Sequence, residues 1–595
     1  MCGIAGKVVM GGQVGLINRR LAIQDLTLAG HQPMNRGKTW VTFNGEIYNF
    51  REIRETLRGL RYRFRSGSDT EVILAGYDAW GIKVLDRLRG QFGLAIYDDK
   101  RRRLFLARDR FGEKPLKYTW DGTTFVFASE LKAILTQAEV KREVNWQGVY
   151  QYLTYGYIPA PQTSFAKIYK LEPAHYLVLD LVGRTLTKKR YWDLDFSSKW
   201  SLSVGEWRER LLAAFFEATK LQMMADVPVV AFLSGGVDSS ALVAMMARCT
   251  NKKVKTFSIG FAERSHDETG YAQKIADMFG TDHQVIRVNP WDMNTLYELV
   301  DHFEELLANS SLLVSYAVAK QARRKVTVAL SGDGGDENFT GYLKHEKLAR
   351  DLWFENYKTA AKLFSKPSKW TMENFKSGPA YKWAKYLLAS QTPWAQRYIT
   401  YNCYLTRADK DCLYTKEFSQ RAGSWPDYEV YTQYADGLKN FSPADRMLYA
   451  DLFNYLPEDL LTKTDLASMA VSLENRSPYL DHKFVELTAK IPFDLKVRGG
   501  EAKYIWKRAL RDVVPAENIY RKKMGFGIPL DKWFNGKLGD LAQEKLLSRD
   551  FLLKEVFDQR ELARYLKERG QANVYELKLW AILYLQLWME KLFRN

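Results

Sequence analysis

Cysteine is scarce: four residues in 595, at Cys2, Cys249, Cys403 and Cys412. That is too few and too scattered for a disulfide framework or a cysteine-rich zinc site. The N-terminus lacks the apolar h-region of a secretory signal, and no stretch approaches the roughly 18 uninterrupted apolar residues of a membrane span. No internal repeat and no low-complexity tract breaks the chain, which sets aside solenoids and tandem arrays. Two common phosphate-binding patterns, G-x-x-x-x-G-K-S/T and G-x-G-x-x-G, occur nowhere. A reducing, cytoplasmic home is expected, and any phosphate must be held by a different loop.

What is present is the composition of a folded protein: 46% hydrophobic, 27% charged and 14% aromatic residues. The length exceeds one ordinary core and points to two or three domains. Lys and Arg number 88 against 70 Asp and Glu, a net charge of +18. Such a surplus fits nucleic acid, a membrane surface or a bulky anionic substrate, and equally a solvated surface with no partner.

Up to about residue 190 the chain reads as β-rich. Short or alternating apolar runs, such as Trp40-Val41-Thr42-Phe43 and Leu104-Phe105-Leu106-Ala107, stand between Gly, Asp and Lys turns. Helices are expected near 50–58 and 69–80. From about residue 203 helical periodicity dominates, and strands at 227–233, 255–259 and 326–330 each run into glycine-rich turns. That alternation predicts a parallel α/β sheet. The stretch 191–201, polar and without a clear period, is the expected linker, dividing the chain into 1–195 and 196–595. The last part of the chain reads as mostly helical and rich in aromatics.

Cys2 directly follows the initiator in Met1-Cys2-Gly3-Ile4-Ala5-Gly6. A small second residue permits methionine removal, and the exposed α-amine, with a pKa of about 8, can serve as base for its own thiol. Asn44-Gly45-Glu46 follows a strand and offers a side-chain amide and a backbone N–H, the two donors an oxyanion hole needs. Arg20 can pair with a substrate carboxylate, and Glu46 and Asp69 with a substrate ammonium. Each alone reads equally as a turn or surface residue.

Farther on, an apolar strand enters Ser234-Gly235-Gly236-Val237-Asp238-Ser239-Ser240, and a helix is expected over 241–248. Two glycines let backbone approach an anion, and the serines stand where a helix N-terminus presents unpaired N–H groups. The loop matches the PP-loop of the ATP pyrophosphatases, which cleave between the α and β phosphates. Such cleavage suits carboxylate activation, since oxide is a hopeless leaving group and AMP a good one. A second acidic cluster, Ser331-Gly332-Asp333-Gly334-Gly335-Asp336-Glu337, also follows an apolar strand. Asp238 and Asp336 can share a Mg²⁺ on the pyrophosphate.

The N-terminal motifs, with Ser66-Gly67-Ser68-Asp69-Thr70-Glu71 and Ala107-Arg108-Asp109-Arg110-Phe111-Gly112 after them, resemble the class II glutamine amidotransferase domain. The resemblance implies an αββα N-terminal-nucleophile fold that hydrolyses glutamine. Cys2 would be its nucleophile, Asn44 and Gly45 its oxyanion hole, Arg20 the partner of the glutamine carboxylate, and Glu46 with Asp69 that of its amine. The second half, through Glu474-Asn475-Arg476-Ser477-Pro478, Lys503 and the run from Arg521 to Pro529, resembles the synthetase domain of the asparagine synthetase family. It implies a PP-loop α/β domain with a large helical extension. By that resemblance Leu233, Ile259, Ser331 and Gly332 hold adenine and ribose, Ser234, Gly235, Gly236, Asp238, Ser239 and Ser240 cradle the phosphates, and Lys503 contacts the pyrophosphate. Asp333 would help ammonia attack an acyl-adenylate. ATP and Mg²⁺ are the implied cofactors, and glutamine and a carboxylate acceptor the partners. Neither nucleic acid nor a membrane is implied, and a homodimer is compatible with the reading.

Some segments depart from the family pattern. Residues 10–14 join the first strand and the Arg20 region almost directly, where the family carries a helix and an HRGPD-type loop. Glu304-Glu305-Leu306-Leu307-Ala308-Asn309 replaces a D-E-P-F-x-D pattern, Asn338-Phe339-Thr340-Gly341-Tyr342 replaces L-F-G-G-Y, and Asn475 and Ser477 stand where E-V-R-V-P has valines. Aspartate is the default acceptor; a uronic acid of a surface polysaccharide or a peptidoglycan stem is the alternative. A degenerate anion-binding scaffold is the rival from another class.

Overall fold

The structure, a computed structural model, describes residues 3–594 apart from 261–266, 288–292, 304, 356–366, 369–370, 372–377, 390–391, 523–529 and 569–573. Period-two alternation builds its first half. Strands β1 (Gly3–Val9), β2 (Val14–Arg19), β7 (Lys117–Trp120), β8 (Thr124–Ala128) and β9 (Tyr169–Lys170) form one antiparallel sheet in the order β2-β1-β8-β7-β9. Strands β3 (Met34–Arg36), β4 (Thr39–Ile47), β5 (Gly90–Asp98), β6 (Arg103–Arg108), β10 (His175–Asp180) and β11 (Thr185–Arg190) form the other, in the order β11-β10-β6-β5-β4-β3.

Successive residues of one strand face opposite layers. Leu104 and Leu106 meet Phe125 and Phe127 between the two sheets. Phe105 and Ala107 turn the other way, onto α1 (Phe50–Gly59) and α2 (Asp69–Trp80). Val126 and Ala128 likewise turn onto α3 (Leu131–Leu135) and α4 (Trp146–Tyr155). Helix, sheet, sheet and helix therefore stack in the αββα order the resemblance implied. The short 10–14 connection is the tight turn of the β1–β2 hairpin, with Val8 opposite Val14.

The second half holds an all-parallel sheet in the order β14-β13-β12-β15-β16, made of β12 (Val229–Phe232), β13 (Lys255–Gly260), β14 (Asp282–Arg287), β15 (Val328–Leu330) and β16 (Glu474–Arg476). The chain runs outward from β12 through β13 to β14, then returns to place β15 on the other side of β12. Helices α5 (Val204–Gln222) and α6 (Val237–Cys249) cover one face, where Ala231, Leu233, Val328 and Leu330 are buried. Helix α6 starts four residues earlier than the sequence suggested, because Gly236 takes the extended N-cap conformation and Val237 to Ser240 form the first turn. The long C-terminal helix Val574–Arg594 packs back on the first half, where Tyr152 Oη donates to the Ala581 carbonyl at 2.9 Å.

The expected linker is not solvent-borne. Trp192, Leu194 and Phe196 alternate into a cluster with Leu448, Leu452 and Leu456. Charges also join the halves: Arg89 makes a bidentate pair with Asp481, at 2.5 and 2.9 Å, and Lys114 reaches Asp465 at 3.0 Å. Among the described residues no helix is long and apolar enough to cross a membrane.

Candidate active site

At the first centre the backbone of β4 is pressed against β5. Gly45 has φ +145°, and a Cβ there would lie 2.0 Å from the Gln91 carbonyl oxygen, so only glycine fits. Beside it, buried Asn44 donates from Nδ2 to Ser129 Oγ at 3.3 Å, and the same hydroxyl accepts the Ile4 N–H at 3.1 Å. The amide is thus tied to β1, which begins at Gly3; Cys2 itself lies outside the described residues.

Asp69 opens α2, whose N-cap Ser68 accepts from Thr70 N–H, and its carboxylate accepts the Ile47 N–H at 2.9 Å. That bond draws the helix start to the end of β4, next to Glu46. Burial pushes the Asp69 carboxyl up to about 6, against the N–H bonds from Ile47 and Thr70. Burial also raises Glu46 well above its ordinary value; Asp69 and Glu474 add to this, and Arg476 and Arg20 oppose it. Arg20 donates from Nη2 to the carbonyls of Gln24 and Asp25, at 2.6 and 2.8 Å. Two buried carboxylates beside an arginine and a side-chain amide suit a small zwitterionic substrate.

The second centre lies where the sheet changes winding direction, between β12 and β15. Ligands of open α/β sheets bind in the crevice outside the carboxyl ends at such a point. Leu233 follows β12, its N–H donating to the Phe257 carbonyl at 2.7 Å, and Ile259 lies near the end of β13. Ser331 and Gly332 follow β15. The Ser234–Ser240 loop is internally braced: Ser239 Oγ accepts the Ser234 N–H at 3.2 Å, and Asn518 Nδ2 donates to the Gly235 carbonyl at 2.9 Å. Ser240 is fully buried, and its N–H donates to the Gly236 carbonyl at 2.9 Å.

Asp238, in the first turn of α6, and Asp336, beyond β15, converge on the Lys503 ammonium; the Asp336 contact is 2.6 Å. Burial alone would lower the Lys503 pKa, but the two aspartates outweigh it and hold it above the ordinary lysine value. Gly341 makes this crossing possible, since a Cβ there would stand 1.9 Å from Asp336 Oδ1. Next to it, burial and the charge of Asp336 push the Glu337 carboxyl up to about 7. Two carboxylates already gathered round one cationic group fit a hard divalent ion whose other ligands are phosphate oxygens and water. Among the described residues no three His, Cys, Asp or Glu side chains gather into a metal-holding group, so the ion would depend on those outside ligands.

Asp333 lies one turn away. Its Oδ2 accepts from Ser331 Oγ at 2.8 Å, Asn475 Nδ2 at 3.4 Å and Thr464 Oγ1 at 3.5 Å. Two adjoining cavities start beside the first centre and follow the join of the two halves. One is lined by Asn44 and Ser129, the other by Glu113 and Thr462, and both by Pro115, Lys117, Glu305, Asp465 and Leu466. Their common wall carries buried ion pairs: Lys170 stands 3.0 Å from Glu305 and 2.7 Å from Glu458, and Lys117 stands 3.6 Å from Glu305.

The structure thus brings Asn44, Gly45, Glu46, Asp69 and Arg20 into one neighbourhood, and the phosphate loop, Asp238, Asp333, Asp336 and Lys503 into another. Sequence reasoning overlooked Arg521 as a site residue. It pairs with Glu268 at 2.6 Å, and a Cβ on Gly236 would meet its Nη2 at 3.2 Å, so a guanidinium flanks the phosphate loop. The basic run Arg521-Lys522-Lys523 was its only signal; Lys523 to Pro529 lie outside the described residues.

The profile of the family described as Asparagine synthase matches residues 210–590, and that of the Glutamine amidotransferase domain matches 3–192. Asparagine synthetase (glutamine-hydrolyzing) 1 of Bacillus subtilis is 32% identical over 591 residues, covering 97% of this chain and 89% of its own. The putative asparagine synthetase (glutamine-hydrolyzing) 2 of Methanocaldococcus jannaschii is 38% identical over 360 residues, 56% of this chain and 67% of its own. Amidase chry2 of Gibberella zeae is 25% identical over 561 residues, 88% of this chain and 82% of its own.

Proposed function

The chain belongs to the asparagine synthase family, with a glutamine amidotransferase domain ahead of the synthase domain, and from that footing we propose that it converts aspartate to asparagine, releasing AMP and pyrophosphate. It is a carbon–nitrogen ligase with glutamine as amide donor. The observation that supports the finer reading is the convergence of Asp238 and Asp336 on Lys503 at the winding switch of the sheet, with two adjoining cavities running from Asn44 along the join of the halves to Thr462 and Asp465.

In this mechanism the Cys2 thiol gives its proton to its own α-amine, and the sulfur attacks the glutamine amide carbon. Asn44 Nδ2 and the Gly45 N–H receive the developing oxyanion. Glu46 and Asp69 hold the substrate ammonium, and Arg20 its carboxylate. Ammonia leaves, and water then releases glutamate from the thioester. At the second centre the acceptor carboxylate attacks the α-phosphorus of ATP and pyrophosphate departs. Lys503 and the loop N–H groups stabilise the departing charge, and Mg²⁺ held by Asp238 and Asp336 would supply the Lewis acid for it. Ammonia attacks the acyl-adenylate, AMP leaves, and Asp333 takes the proton lost by nitrogen. Ammonia set free in water would be protonated and lost, and the paired cavities offer it a sheltered route.

A second acceptor, a uronic acid or a peptidoglycan stem, is favoured by two observations. Asn475, which departs from the family pattern, sits on Asp333, and a relative over most of the chain carries the name amidase. Pyrophosphate release over a panel of carboxylates, with glutamine or ammonium as nitrogen source, decides between them. Aspartate is expected to lead the panel, and a preference for a uronic acid or a stem peptide would replace it. Cys2→Ala should abolish glutamine use and keep ammonium use; a variant still using glutamine would remove Cys2 from its role.

A further inference from the structure

Strand β16 is three residues long, polar throughout, and forms the edge of the parallel sheet beside β15. Its side chains alternate between the two centres. On one side Asn475 Nδ2 donates to Ser331 Oγ at 2.9 Å and to Asp333 Oδ2 at 3.4 Å, and Ser477 Oγ donates to the Asp333 carbonyl. On the other side Arg476, wholly buried, donates from Nε to Glu474 at 2.7 Å and from Nη1 to the carbonyls of Gln222 and Met224, at 2.8 and 2.6 Å. Its Nη2 is buried without a hydrogen-bond partner and stands 3.7 Å from Glu46 Oε1, across the boundary between the halves. The Ser331 N–H donates to the Arg476 carbonyl at 2.9 Å, so the peptide between the two faces is itself anchored to the loop that carries Asp333.

A buried guanidinium donor left open toward a buried carboxylate is costly unless something completes the set. An amino-acid ammonium bound between Glu46 and Asp69 would do so, by fixing the Glu46 carboxylate in place. Asn475 and Ser477, the two departures from E-V-R-V-P, both contact the loop of Asp333. Valine at either position would offer no donor.

We propose that β16 is a positioning element shared by both centres: Asn475 and Ser477 aim Asp333 at the bond-forming nitrogen, and Arg476 between them is the counter-charge for Glu46 in the glutamine pocket. The glutamine pocket is then completed by a residue of the synthetase half. This rests on the proposed reading of the two centres.

Adjacent residues should give opposite phenotypes. Asn475→Val should lower kcat for amide formation at least about tenfold with glutamine and with ammonium alike, the scale of a lost hydrogen bond to a charged group. It should leave ATP–pyrophosphate exchange and glutamate release unchanged. Arg476→Gln should raise the glutamine KM at least about tenfold while ammonium-dependent synthesis stays within about twofold of wild type, and Arg476→Lys should recover part of the loss. Equal losses on both nitrogen sources in Arg476→Gln, with no recovery in Arg476→Lys, would overturn the assignment of Arg476. An unaltered kcat in Asn475→Val, or a fall in its pyrophosphate exchange, would overturn that of Asn475. Should Arg476→Gln not fold, Arg476→Lys alone tests the KM shift. A wild-type protein that forms no amide would count against the functional reading, whereas glutamate release without ATP still tests Arg476.

Discussion

Lys503→Met keeps the length of the side chain and removes its charge. The ammonium is 6% exposed, between carboxylates that are 19% and 20% exposed. Two oxygens in contact with one nitrogen stand no more than about 5 Å apart, and unit charges at that separation repel by about 3 kcal/mol at an effective dielectric constant of about 20. Removing one partner of a buried ion pair costs about 3–5 kcal/mol, and the residual solvent access of the aspartates favours the lower end. The ligand-free variant should therefore melt about 2–4 °C below wild type. A divalent cation can take the place of the ammonium, so Mg²⁺ should raise the melting temperature of the variant far more than that of wild type. Thermal melts across a magnesium titration at constant ionic strength read both effects. Equal melting temperatures and equal magnesium responses would refute the idea that Asp238 and Asp336 form a single cation-seeking pair.

Asp238→Asn and Asp336→Asn should each lower AMP formation by orders of magnitude while sparing glutamate release, because cleavage gathers charge on the departing pyrophosphate. If both aspartates were only loop caps, Asn would be a mild change, and a wild-type rate and magnesium dependence in either variant would show it. The Asp69 carboxyl, pushed up to about 6 by burial, is neutral below that pH and a poor partner for an ammonium. Below about 6, protonation of Asp69 should steepen the fall of kcat/KM for glutamine by up to about tenfold per pH unit beyond what Glu46 and the α-amine contribute, and Asp69→Asn should lack that extra step. A profile flat to pH 4.5 would exclude Asp69 from substrate binding.

Where local chemistry decides structure, the sequence was legible. Helix α2 announces itself through Ser68, with Asp69 and Glu71 in the first turn, and β6 through the short apolar run Leu104-Phe105-Leu106-Ala107. The phosphate loop was readable for the same reason, since two glycines between an apolar strand and a helix leave few conformations. Strand β16 was hidden because Glu-Asn-Arg carries no apolar alternation; its partners are charges and amides supplied by distant segments. Lys170 and Glu458 are 288 residues apart, and no local pattern announces such a pair. How the 191–201 segment packs was hidden for a related reason. Asp193, Asp195 and two serines mask the alternation of Trp192, Leu194 and Phe196.

The Arg89–Asp481 pair spans 392 residues of chain. At about 5–20 residues per second, a ribosome needs on the order of 20–80 seconds to pass from one to the other. For most of that interval the first half is complete with α4 uncovered by the C-terminal helix, and Arg89 has Glu217 but not Asp481 as a partner. Its sheets and their shared core can form at once, but the face that meets the second half must wait in water or on a chaperone. The joining face therefore closes only at the end of synthesis, and a chain cut short before residue 481 leaves it without Asp481 and the C-terminal helix.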